Sequence, residues 1–90
     1  MQYMIIERFY ADKVKEMYQR FAERGRMLPD GVGFINSWID TSVTTCYQLM
    51  TAASIELLQT WIDHWKEFAD FEVVPVISSA EAKEKVLARK

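Results

Sequence analysis

Residues Val32 to Asp40, VGFINSWID, and Thr44 to Thr51, TTCYQLMT, decide the fold. Both runs are dense in β-branched and aromatic residues, the types that suit a pleated, half-buried surface. Only Thr41-Ser42-Val43 separates them, so the pair reads as a β-hairpin. Pairing Ile39 with Thr44 places Phe34, Asn36, Trp38, Thr45, Tyr47 and Leu49 on one face of the ribbon. Ile35, Ser37, Ile39, Cys46, Gln48 and Met50 then share the other face. A one-residue slip of either strand would undo this sorting.

Upstream of the hairpin, Pro29-Asp30-Gly31 is a turn signal and Gly25 marks the end of a helix. That helix is expected to start from Asp12 as its cap. Val14, Met17, Tyr18 and Phe21 form one apolar stripe at helical spacing, with Lys13, Lys15, Glu16, Gln19, Arg20 and Glu23 on the wet side. Before it, Gln2 to Phe9 is a compact apolar run that reads as the first strand. Downstream, Ser54 suits a helix cap, and Leu58, Trp61, Ile62, Trp65 and Phe68 recur at helical spacing. Phe71 to Ile77, FEVVPVI, is the last strand. Ser78-Ser79-Ala80-Glu81 has the form of a capping box, opening a short polar helix over Ala82 to Arg89.

The fold class is therefore α+β: a ferredoxin-like βαββαβ antiparallel sheet with two helices on one face, plus a short C-terminal helix. In that topology the last strand lies at a sheet edge beside the first. Pro75 agrees, because proline lacks a ladder donor and is confined to edges and bulges.

Ninety residues suffice for one domain. The core is placed at 2–77 and a helical extension at 78–90. Half the residues are hydrophobic, among them three Trp, four Tyr and five Phe, too apolar a chain to stay disordered. A net charge of −2 and a pI near 5.3 give no broad basic field, which argues against nucleic acid as a partner. Cys46, the single cysteine, excludes an internal disulfide and a thiolate metal cluster. No secretory leader and no apolar run of about 20 residues is visible, so a cytoplasmic protein away from membranes is expected.

The strands do not alternate cleanly between apolar and polar residues, as a sheet covered on one face should. Met4-Ile5-Ile6 and Val73-Val74-Pro75-Val76-Ile77 put apolar groups on both faces. Phe34 and Trp38 share one face, while Ile35 and Ile39 share the other. Two helices cover one face only, and a bare second face would exceed the apolar patch monomers usually show. A homodimer packed sheet to sheet is the simplest expectation; the rival is a C-terminal segment folded across the open face.

Ile6-Glu7-Arg8-Phe9, Glu23-Arg24-Gly25-Arg26-Met27-Leu28-Pro29, Ser37-Trp38-Ile39-Asp40, Cys46-Tyr47-Gln48-Leu49-Met50 and Asp70-Phe71-Glu72-Val73-Val74-Pro75-Val76 lie in this order along nearly the whole chain. Together they resemble a family of short bacterial proteins, domain of unknown function family 3303. The resemblance implies the ferredoxin-like fold of the dimeric α/β-barrel group and no particular activity. Ala52-Ala53-Ser54 departs from the more acidic or proline-containing lead expected before the second helix, which affects the cap alone.

Candidate ligand-binding residues are Glu7, Asn36, Trp38, Tyr47 and His64. Glu7, a carboxylate on the first strand, needs a buried partner or serves a site. Asn36, Trp38 and Tyr47 mix polar tips with flat apolar bodies on one expected face, as small-molecule pockets do, although packing against a helix or a second copy is the stronger reading. His64 could act as a base near neutral pH, but between Asp63 and Trp65 it reads more simply as a surface histidine. Trp61 and Trp65, one turn apart, read as core. Cys46 reads as a small buried hydrophobe rather than a nucleophile. Arg20, Arg24 and Arg26 are anion-binding candidates, weighed against ordinary surface pairing with Glu16 and Glu23.

No phosphate loop, dinucleotide fingerprint, nucleophile elbow or zinc-protease motif occurs, and no metal or cofactor is expected. The reading is a small-molecule-binding homodimer. The alternative, by fold analogy alone, is an enzyme like the cofactor-independent oxygenases of the dimeric α/β-barrel group. A third is an interaction module that uses the terminal helix.

Overall fold

The computed structural model describes residues 1–89. Its elements run β1 (Gln2–Phe9), α1 (Val14–Arg24), β2 (Val32–Ile39), β3 (Thr45–Ala52), α2 (Ile55–Asp63), β4 (Ala69–Val76) and α3 (Ser79–Leu87). The sheet is antiparallel in the order β2-β3-β1-β4, consistent with a ferredoxin-like α+β fold. Pro75 lies on edge strand β4 opposite Tyr3, where its missing donor costs no ladder bond. Among the described residues no helix is long and apolar enough to cross a membrane. The part of the expected extension at Lys90 lies outside the described residues.

The hairpin register differs from expectation by two residues. Ile39 faces Cys46 rather than Thr44. Asp40 is the reason: its Oδ1 accepts from the backbone N–H groups of Thr44 (2.7 Å) and Thr45 (2.9 Å), and its Oδ2 accepts from the Thr44 hydroxyl. These bonds draw Thr44 into the turn, as aspartate does where its side chain can satisfy local backbone donors. A shift of two preserves every face of an alternating strand. Trp38 therefore still shares a face with Tyr47, and Ser37 with Gln48, and in the observed register each pair stands directly opposite. Phe34 is the exception. The ladder is irregular between Phe34 and Asn36, which skips Ile35 and sets Phe34 opposite Met50 on the helix-covered face.

Helix ends also differ, and α3, expected over Ala82 to Arg89, runs Ser79–Leu87. Lys13, not Asp12, is the N-cap of α1, and it makes no side-chain cap bond. Gly25 closes that helix at φ 65°, donating its N–H to the Phe21 carbonyl, a conformation glycine adopts without strain. The α2 helix stops at Asp63, before Trp65 and Phe68. Turns continue the chain, with the Trp65 N–H on the Ile62 carbonyl and the Phe68 N–H on that of Trp65, so both rings stay buried. Ser54 and Ser78 cap α2 and α3 as expected, accepting from the N–H groups of Leu57 and Glu81.

The core lies between sheet and helices. Tyr3, Ile5 and Met50 from the strands meet Leu58, Trp61, Ile62, Trp65 and Phe68. Only Met17 of α1 is buried, so α2 and its following turns supply most of the lid over the sheet. The opposite face is ruled in rows across the strands: Trp38–Tyr47–Ile6–Glu72, then Asn36–Leu49–Met4–Val74. Trp38 is 52% exposed there. The molecule measures 51 × 31 × 17 Å, and a further layer over the sheet would add about 10 Å to its thinnest dimension. The α3 helix has no buried residue of its own, and Trp38 on the open face stays exposed.

Candidate functional site

Beneath α1 the core is incomplete. Glu7 and Phe9 of β1, Ser37 and Ile39 of β2, and Cys46 and Gln48 of β3 form the floor of a cavity of about 150 Å³. Met17, Tyr18 and Phe21 of α1, with Trp61 and Trp65, form its roof and back, and Arg26 reaches in from the loop after α1. Tyr18, Phe21 and Ile39 are each partly exposed, so they make the mouth. The volume resembles that of an apolar cavity able to hold one benzene-sized ring.

The polar groups of the floor form one chain. Arg26 donates from Nε to Gln48 Oε1 at 3.3 Å, and Gln48 donates from Nε2 to Glu7 Oε1. Arg26 Nη2 also donates to the Ser37 hydroxyl at 3.5 Å. Glu7, on the inner strand β1, is 5% exposed. Among the described residues its Oε2 has no hydrogen-bond donor, and no buried side-chain oxygen or nitrogen is both sealed and unpartnered. Oε2 therefore opens on the cavity.

The arginine is held independently of that chain. Its guanidinium carbon lies 3.5 Å from the centre of the Phe34 ring and 5.1 Å from that of Phe21, a cation between two π faces. Its backbone carbonyl accepts from the indole N–H groups of Trp61 (2.9 Å) and Trp65 (3.0 Å). Gly25 before it and Met27 after it, the latter at φ 58°, turn the chain so that carbonyl and side chain approach the cavity from one loop.

Burial governs the charges. It pushes Glu7 up to about 7, against the Gln48 hydrogen bond and the Arg26 charge, which both favour the carboxylate. Burial also pushes the Cys46 thiol up to about 12, with the neighbouring Glu7 adding to the shift. Cys46 is thus a neutral thiol in the wall and not an activated nucleophile. Tyr18 is raised, first by burial, and Arg26 is lowered by burial. Among the described residues no three His, Cys, Asp or Glu side chains are grouped as metal ligands.

Of the residues singled out from sequence, Glu7 and Arg26 meet in this cavity. Asn36, Trp38 and Tyr47 do not line it; they stand on the open face of the sheet, facing away from the helices. His64 is exposed at the C-terminal cap of α2. Arg20 is turned to Glu67, to the His64 carbonyl and over the Phe68 ring, while Arg24 is exposed in the last turn of α1. The three arginines do not converge. Gln48, Ser37, Tyr18 and Phe21 belong to the site although sequence reasoning did not select them. The available signal was that Ser37, Cys46 and Gln48 share one hairpin face, a polar group set among core positions.

A family model described as Domain of unknown function (DUF3303) matches residues 1–90, the whole chain. No curated protein and no solved structure matches it.

Proposed function

The chain belongs to the DUF3303 family, and from its cavity we propose that it is a small-molecule-binding protein working as a homodimer. The observation that carries this reading is a core left open around an ordered polar chain. A domain this small gains stability by filling its interior, yet here about 150 Å³ stays open beside Glu7, Gln48 and Arg26. The occupant the cavity suits is the size of a single ring. Phe9, Met17, Phe21, Ile39, Trp61 and Trp65 enclose its apolar body, and one polar group meets Glu7 Oε2 or the Ser37 hydroxyl. Glu7 and Arg26 offset one another in charge, which favours a neutral molecule over an ion.

The dimer forms through the open sheet. Met4, Ile6, Trp38, Tyr47, Leu49, Val74 and Val76 make its apolar centre, and the Arg8–Glu72 pair at 3.0 Å and the Tyr10–Asp70 hydrogen bond at 2.8 Å lie toward one end. Burying each of the larger side chains contributes roughly 1.5–3 kcal/mol before the cost of association. Two copies related by a two-fold axis cover both faces at once, leaving the cavities on the outer sides. We place the protein in the cytoplasm, where its single thiol stays reduced.

The test is a native mass spectrum of freshly purified protein, followed by titration with 4-methylphenol. A dimer that takes up one 4-methylphenol per chain, and loses it on Glu7→Ala, supports the reading. A monomer that takes up none contradicts it.

A further inference from the structure

We propose that Glu7 is a general base that moves a proton on the carbon next to a carbonyl of a compact cyclic ketone or enone. The inference rests on the small-molecule reading of the cavity and adds a reaction to it. Its ground is geometric. Among the described residues Glu7 is the one carboxylate lining the cavity, one of its oxygens is fixed by Gln48, and the other faces the space where a ligand would lie. Gln48 is fixed in turn by Arg26, and Arg26 by two rings and two indole N–H groups. Such layered support keeps a catalytic group in its productive geometry.

The reaction needs no partner outside the site. The Glu7 carboxylate takes the proton from the carbon next to the carbonyl. The C–H electron pair becomes the new C=C bond, and the carbonyl π pair moves onto oxygen, giving an enolate and a neutral Glu7. Ser37 accepts from Arg26, so its own O–H is left to donate to that oxygen, beside the guanidinium charge. Glu7 then returns the proton. Delivered to the same carbon it restores the ketone; delivered to the far end of a conjugated enol it shifts a double bond. Atoms and charge balance, and nothing is oxidised or reduced. A carboxyl poised near neutrality, as burial makes this one, both takes and gives a proton readily at physiological pH.

The experiment is exchange of the α-protons of cyclohexanone in deuterated buffer, followed by proton NMR, with the indole N–H signals of the same protein recorded in ordinary water. The expected result is exchange at least tenfold above buffer, proportional to protein and lost in Glu7→Gln. Glu7→Asp, which keeps the carboxylate but withdraws it, should retain part of the rate and serves if Glu7→Gln does not fold. His64→Gln, outside the cavity lining, should keep the full rate. If the Trp61 and Trp65 signals respond to cyclohexanone and no exchange exceeds buffer, proton transfer is overturned and binding stands. Exchange that persists in Glu7→Gln also overturns it. No indole response and no exchange overturns both.

Discussion

Glu7 and Gln48 are hydrogen-bonded to each other although neither faces the other across the β1–β3 ladder. Glu7 is opposite Cys46, and Gln48 is opposite Ile5. The bond is diagonal, within reach of two long side chains on one sheet face. It binds a carboxyl of the inner strand β1 to the residue that Arg26 also holds, and it explains how a buried acid is tolerated in the core.

Toleration is not stabilisation. Burial raises Glu7 from 4.5 to about 7, so the native state binds more protons than the unfolded chain between those values. Stability therefore falls as pH rises through that window and levels off above it. The loss corresponds to about 3 kcal/mol. Glu7→Gln keeps an acceptor for Gln48 and has no charge to bury, so urea denaturation at pH 8 should find it more stable than wild type by about that amount. At pH 4 the two proteins should nearly coincide.

Gln48 acts on the same group with opposite sign, since its hydrogen bond favours the charged form. Gln48→Ala should move the Glu7 midpoint above about 7, read from the side-chain carboxyl carbon by 13C NMR. A midpoint that falls would show that the amide is not holding the carboxylate.

Trp61 and Trp65 share one acceptor, the Arg26 carbonyl. Trp61→Phe leaves that carbonyl with one donor and should cost about 1–2 kcal/mol, including the smaller ring. Trp61→Phe with Trp65→Phe orphans the carbonyl. The pair should then lose about 1 kcal/mol more than the sum of the single changes, measured in a double-mutant cycle.

The open face offers a separate check. Leu49 lies between Asn36 and Met4 near its centre, and near a two-fold axis a substituent approaches its own copy. Leu49→Lys should reduce the light-scattering mass from twice 10.6 kDa to 10.6 kDa and leave the fold intact by circular dichroism. A wild-type protein that is already monomeric would remove the proposed interface.

Most of the frame was legible because it follows from periodicity and punctuation. Ser54, Ser78, Gly25 and Pro75 each occupy the position their chemistry indicates. The hairpin register was misjudged because Asp40 bonds Thr44 and Thr45, a choice among local partners that composition does not reveal. The site was half legible. Glu7 stood out as a carboxylate in an apolar strand, whereas Trp38, Tyr47 and Asn36 drew attention as polar-tipped groups that face away from the helices. Whether a strand face meets helices or solvent is set by tertiary packing, and the skipped Ile35 moved Phe34 between faces to clamp Arg26.

The three tryptophans of the chain report on the two faces separately, since Trp61 and Trp65 line the cavity and Trp38 stands on the open sheet. The decisive measurement is a 1H–15N NMR titration of their indole N–H signals with 4-methylphenol. Occupation of the cavity shifts the Trp61 and Trp65 signals saturably and leaves Trp38 in place. Unmoved Trp61 and Trp65 signals at saturating 4-methylphenol, or a response confined to Trp38, would contradict it.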